Sequence, residues 1–86
     1  MVEYRVELSA TAERQLRKLQ ARDQRRVVDV IHRLAREPRP RGCRQLHGYD
    51  GVYRVRSGAF RVIYRIEYDR VLIVLLKIGH RREIYR

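Results

Sequence analysis

Gly51-Val52-Tyr53-Arg54-Val55-Arg56-Ser57-Gly58-Ala59-Phe60-Arg61-Val62-Ile63-Tyr64 consists of two alternating runs joined by a turn signal. Tyr53 and Val55 share one side of the first run and Arg54 and Arg56 the other, because strand side chains alternate with period two. In the returning run Phe60, Val62, Tyr64 and Ile66 oppose Arg61, Ile63 and Arg65. Ser57-Gly58 reads as the two-residue loop of a hairpin, and pairing around it gathers Arg54, Arg56 and Arg61 on one face. That face carries like charges that repel on neighbouring strands; splayed into water they are merely solvated, and held together they call for an anion. The opposite, apolar face calls for a core.

The chain on either side supplies that core. Upstream, Val2, Tyr4, Val6 and Leu8 alternate with Glu3, Arg5 and Glu7, the pattern of a strand with one covered face. Ser9 or Thr11 caps a short helix whose apolar side is Ala12, Leu16 and Leu19. Asp23 is read as the cap of a second helix with the stripe Val27, Val30, Ile31, Leu34 and Ala35, ended by Glu37-Pro38-Arg39-Pro40. Gln45-Leu46-His47-Gly48 is a short edge strand or a loop. Downstream of the hairpin, Tyr68-Asp69-Arg70 reverses the chain into Val71-Leu72-Ile73-Val74-Leu75-Leu76, which is apolar on both parities and therefore an inner strand. Gly79 is expected to end it, leaving a polar tail. Two consecutive helices can cover only one side of such a sheet, so the expected fold is α+β. An N-terminal strand and helical hairpin pack on one face of a small, mainly antiparallel sheet of four to five strands, and the other face is left for a ligand.

Eighty-six residues make this a single domain, 1–86, whose thin core buries about 60 to 65% of the unfolded chain's surface. Twenty-one Lys and Arg against ten Asp and Glu give +11, and every cation except Lys18 and Lys77 is arginine. Residues 1–40 carry ten cations and six anions and residues 41–86 carry eleven and four, so the strand-rich half holds +7 of the excess. Such a chain attracts polyanions, and guanidinium groups add bidentate phosphate geometry. An arginine-rich solvated surface is the plainer reading of composition alone. The single cysteine, Cys43, excludes an internal disulfide, fits a reducing compartment and reads as a structural thiol. Neither a signal peptide nor a membrane span is indicated, so the cytoplasm is the expected location.

Chemistry can reside in few places. His80, Arg81, Arg82 and Tyr85 follow the inner strand and can fold back over the arginine face. There they would supply phosphate donors, a stacking ring and a group for proton transfer at a ribose hydroxyl. Tyr85 is a poor base at its ordinary pKa near 10 unless guanidinium groups lower it; by itself it is equally a terminal ring packed on the sheet. His80 has a suitable solution pKa, His47 is a candidate ligand contact in its loop or edge, and His32 flanks the helical stripe. No histidine pair has ligand spacing, and Asp50, Glu67 and Asp69 lie near turns without a metal constellation, so no metal or cofactor is expected.

With Pro38-Arg39-Pro40, Leu46-His47-Gly48, the 51–64 run and Ile78-Gly79-His80-Arg81-Arg82-Glu83-Ile84-Tyr85, the chain resembles the RelE/ParE toxin superfamily, most closely the RelE-like ribosome-dependent mRNA endonucleases. The resemblance implies a toxin of a type II toxin–antitoxin system that cuts mRNA on the 70S ribosome, in the A site, through attack of the 2′-hydroxyl on the adjacent phosphate, without metal or cofactor. It implies phosphate or RNA binding by Arg54 and Arg56, and the residues themselves add Arg82 and His47 as candidate further contacts. Arg61 is placed on the scissile phosphate, Arg81 at the transition state or leaving group, and Tyr85 as general base with His80 as its alternative. Arg54 and Arg56 stand where the best-known member has lysines, which favours phosphate binding over proton transfer. The implied partner is an antitoxin protein, acidic or with an amphipathic wrapping segment. Two other readings fit the same fold: a ParE-like inhibitor of DNA gyrase without nuclease activity, and an inactive basic binding module.

Overall fold

The computed structural model describes residues 2–80. Its elements run β1 (Arg5–Leu8), α1 (Ala10–Lys18), α2 (Ala21–Arg36), β2 (Arg44–Gln45), β3 (Val52–Ser57), β4 (Phe60–Glu67) and β5 (Leu72–His80). The five strands form one sheet in the order β1-β5-β4-β3-β2, with β1 parallel to β5 and the other pairs antiparallel. The helices cover one face. Ala12, Val27 and Leu34 from them close on Tyr53, Val55, Val62, Tyr64, Ile66, Ile73, Leu75 and Ile78 from the sheet. The α+β two-layer expectation holds.

Serine capping starts α1. The Ser9 Oγ accepts from the Ala12 N–H at 3.0 Å and donates to the Leu76 carbonyl at 3.0 Å, so one hydroxyl serves the helix and pins it to β5. Leu19 and Gln20 are extended, and α2 starts directly after them. Asp23 is therefore not the cap that sequence spacing suggested. It lies in the first turn, where a carboxylate still suits the positive end of the helix, and Gln20 holds the cap position without a side-chain hydrogen bond. The Gln24 amide donates to the Leu16 carbonyl at 3.1 Å and locks the two helices together.

Three further expectations are corrected. Val2 is exposed, because pairing of β1 begins only at Arg5. The hairpin loop is Gly58-Ala59 rather than Ser57-Gly58, with Ser57 paired to Phe60 and buried on the core side. Gly58 has φ 60°, the left-handed value that a tight hairpin requires at its first loop position. Gly79 does not end β5: it pairs with Arg61, and His80 continues the ladder opposite Phe60.

A register shift between Ile63 and Tyr64 decides what β5 presents. Tyr64 pairs with Leu75 but Ile63 with Lys77, so Leu76 is the extra residue of a β-bulge. Beyond it Ile78 turns into the core and Lys77 turns outward.

Candidate functional site

The helix-free face of the sheet has two halves of different charge. At the end away from the hairpin tip, each cation has a carboxylate partner. Arg5 pairs with Glu7 at 3.4 Å, and Glu67 takes Arg65 at 3.3 Å and Arg70 at 3.1 Å. Toward the tip the register lines up two cationic rows. Arg44, Arg54, Ile63 and Lys77 follow one another across β2, β3, β4 and β5, and Arg56, Arg61 and Gly79 form the next row. Among the described strand residues no carboxylate stands in either row.

This arrangement costs stability. Arg56 and Arg61 are directly opposed on neighbouring strands, which is unfavourable by roughly 0.2–1 kcal/mol relative to neutral pairs. Arg54 and Arg61 are half-buried and Arg56 is exposed, so the guanidinium groups differ in how far they stand out from the sheet. A shallow depression of about 280 Å³ is lined by Gly42, Arg44, Arg54, Val55 and Arg56. Gly79 beside Arg61 leaves the second row without a bulky side chain on β5. An extended chain of phosphates can lie across such a face and meet several guanidinium groups in turn.

The sequence candidates are placed as follows. Arg54, Arg56 and Arg61 come together as the hairpin predicts, although the one-place shift of the loop sets Arg61 opposite Arg56 instead of Arg54. The faces survive because moving both arms by one residue preserves parity. His80 lies on the helix side of the sheet, paired with Phe60, with ring centroids 5.8 Å apart in an edge contact. It does not lie over the arginine rows. His47 is exposed in the loop after β2, at the end of β3 away from the tip. His32 is exposed on α2. Arg81, Arg82 and Tyr85 lie outside the described residues. Cys43 packs against the core beside Tyr64.

Arg44 and Lys77 are additional cations of this face. Arg44 sits on a two-residue strand, too short for alternation to be read, and Lys77 reaches the face only through the bulge at Leu76. Among the described residues no group of three or more His, Cys, Asp or Glu side chains is placed to hold a metal ion, and no helix is long and apolar enough to cross a membrane.

Among the described residues, a mixed five-stranded sheet with a helical layer on one face and two cationic rows on the other defines a small α+β domain. The family model described as the ParE toxin of the type II toxin–antitoxin system parDE matches residues 6–85. Toxin RelG of Mycobacterium tuberculosis is 36% identical over 84 residues, which cover 96% of this chain and 97% of that protein. Among solved structures, the RelBE2 toxin–antitoxin complex of M. tuberculosis matches with a TM-score of 0.82 and 35% identity, covering 96% of this chain and 97% of the matched one. The archaeal RelE–RelB complex of Pyrococcus horikoshii matches with a TM-score of 0.83 and 31% identity, covering 96% and 99%. The chain belongs to the RelE/ParE toxin superfamily, and its relatives lie most consistently on the RelE side.

Proposed function

We propose that this protein is the toxin of a type II toxin–antitoxin pair and cleaves mRNA in the ribosomal A site without a metal ion. The observation that carries the reading is the pair of cationic rows, Arg44, Arg54 and Lys77 beside Arg56 and Arg61, on the sheet face opposite the two helices. In the proposed reaction the ribose 2′-oxygen attacks the adjacent phosphorus and the bond to the 5′-oxygen breaks. A cyclic 2′,3′-phosphate and a 5′-hydroxyl result, the base taking the 2′-proton and an acid returning one to the leaving oxygen. Arg54 and Arg56 hold the backbone, and Arg61 meets the phosphate on which charge develops. Arg81 stabilises the transition state or leaving group, Tyr85 or His80 moves the proton, and Arg82 and His47 extend the RNA contact. The placement of His80 beside Phe60 favours Tyr85 for the proton-transfer role.

The relatives crystallised as RelB–RelE complexes support a cognate antitoxin here as well. A segment rich in carboxylates would neutralise the cationic rows and block them in the same act. Gyrase inhibition is the second reading, favoured by the ParE description of the matching family model.

Cleavage-site mapping on a defined mRNA separates the two. The assay is run with and without programmed ribosomes, and with EDTA at magnesium levels that keep ribosomes intact. Ribosome-dependent cuts at A-site codons that persist with EDTA are expected. A folded protein that leaves mRNA intact but inhibits gyrase supercoiling overturns the reading.

A further inference from the structure

β5 changes neighbours halfway along. Over residues 72–75 it is an inner strand, paired with β1 on one side and β4 on the other. β1 ends at Leu8, opposite Leu75, so among the described residues 76–80 have a strand neighbour on the β4 side alone. This half begins at the bulge and carries Lys77 and Gly79, the β5 members of the two cationic rows. His80 ends it, and Arg81 follows in sequence.

Helix α1 stands where β1 stops. The Ser9 N–H donates to the Leu75 carbonyl at 2.9 Å, and the Ser9 hydroxyl to the Leu76 carbonyl at 3.0 Å. Farther along the helix, Gln15 accepts the Ile78 N–H on its Oε1 at 2.6 Å. Two side chains of the helical layer thus take the bonds that a longer β1 would have made to the edge of β5.

The Ser9 contacts are accounted for by the start of α1, which that residue caps. Gln15 has no such duty. It is half-buried and lines a shallow groove of about 220 Å³ with Leu19, Phe60, Ile78 and His80, where an apolar side chain of the same length would pack equally well. What the amide adds is the acceptor for Ile78. That residue's side chain is in the core, 1% exposed, and its backbone joins Lys77 to Gly79, which pair with Ile63 and Arg61 across the ladder. A strand held on one side only, directly after a bulge, is free to twist, and a bond to its open edge removes that freedom. Such freedom matters at a reaction centre, where misplacement by about 1 Å is enough to cost about a hundredfold in rate.

We propose that Gln15 is a positioning residue of the cleavage site. Through the Ile78 amide it fixes the half of β5 that lacks β1, and so sets where Lys77 and Gly79 stand beside Arg54 and Arg61 and where the chain passes on to Arg81. The proposal rests on the endonuclease reading for the reaction being positioned. Gln15 belongs to the helical layer and acts through the backbone of β5.

Three variants test it. Gln15→Met keeps the side-chain length and removes the acceptor, and Gln15→Glu restores one. Gln24→Met breaks the other amide bond of the helical layer, from Gln24 to the Leu16 carbonyl, without touching β5. Backbone NMR reports the clamp, and single-turnover cleavage on programmed ribosomes, measured beside ribosome affinity, reports the site. In Gln15→Met we expect the Ile78 amide to exchange with solvent about fivefold faster or more, and the amide shifts of Lys77, Gly79 and Arg61 to move. Cleavage should fall about tenfold while ribosome affinity changes less than about twofold. Gln15→Glu should recover most of both effects, and Gln24→Met should leave cleavage and those shifts near their wild-type values. Shifts that stay fixed at Lys77, Gly79 and Arg61 in Gln15→Met overturn the inference whether or not the protein cuts mRNA. So does wild-type cleavage by a Gln15→Met protein whose Ile78 amide is exposed, or an equal loss of cleavage in Gln24→Met, which would make the effect one of general stability. Shifts that move as expected in a protein whose wild type cuts no mRNA overturn the endonuclease reading alone.

Discussion

Tyr64 is fully buried beneath the Pro38–Cys43 segment, and its hydroxyl donates to the Pro38 carbonyl at 2.7 Å. Burial pushes its ionisation well above the ordinary tyrosine value, with the neighbouring Cys43 adding to the shift. Tyr53 stacks on it with ring centroids 6.0 Å apart. The raised folded value sets the sign: the stabilisation is complete below the unfolded pKa of about 10 and is lost as pH rises from there toward the folded value. Denaturant midpoints should therefore fall as pH is raised above about 10, and Tyr64→Phe should flatten that fall while costing about 1 kcal/mol at neutral pH from the lost hydrogen bond. Arg56 gives the opposite kind of prediction. Removing one of two opposed charges in Arg56→Thr should raise the denaturant midpoint by up to about 1 kcal/mol in stability while weakening RNA binding. Arg61→Ala should lower single-turnover cleavage on programmed ribosomes by about 100-fold or more while ribosome affinity changes far less, since aligned donors matter most where charge develops. Equal losses of binding and cleavage would remove Arg61 from the reaction centre.

Among the elements, β5 departs most from its sequence reading. The run from Val71 to Leu76 correctly announces an inner strand, flanked by β1 and β4. Its length and the outward turn of Lys77 depend on the bulge, which no local pattern around Leu76 signals. Deleting Leu76 should return the ladder to simple register, with Lys77 still opposite Ile63 and Ile78 still opposite Val62, so that both keep their faces. We expect that variant to keep its cooperative thermal unfolding, read by circular dichroism. β2 is the converse case: two residues carry too little alternation to be recognised, and Arg44 becomes visible only once β3 lies beside it. The hairpin falls between these. Its arms and faces were legible, whereas the loop moved by one residue because Gly58 takes the first loop position and Ser57 is buried as a strand residue.

Across the whole molecule, charge and topology act together. A net charge of +11 makes association with any nucleic acid steeply salt-dependent. Between about 50 and 200 mM salt, affinity for programmed ribosomes should drop by on the order of a thousandfold, as for proteins making several phosphate contacts, and a weak dependence measured by co-sedimentation would contradict phosphate binding by the cationic sheet face. The α+β class, the single covered sheet face and the arginines of the hairpin were all readable from residue order, because period-two and helical alternation are local and survive without knowledge of neighbours. Tertiary structure alone decided that Arg44 and Lys77 join those arginines, that His80 stands across the sheet from them, and that Arg26 links α2 to the hairpin tip. Each of these depends on strand register, on a bulge or on the way a helix lies over the sheet, and such relations between distant segments are fixed only when the chain packs.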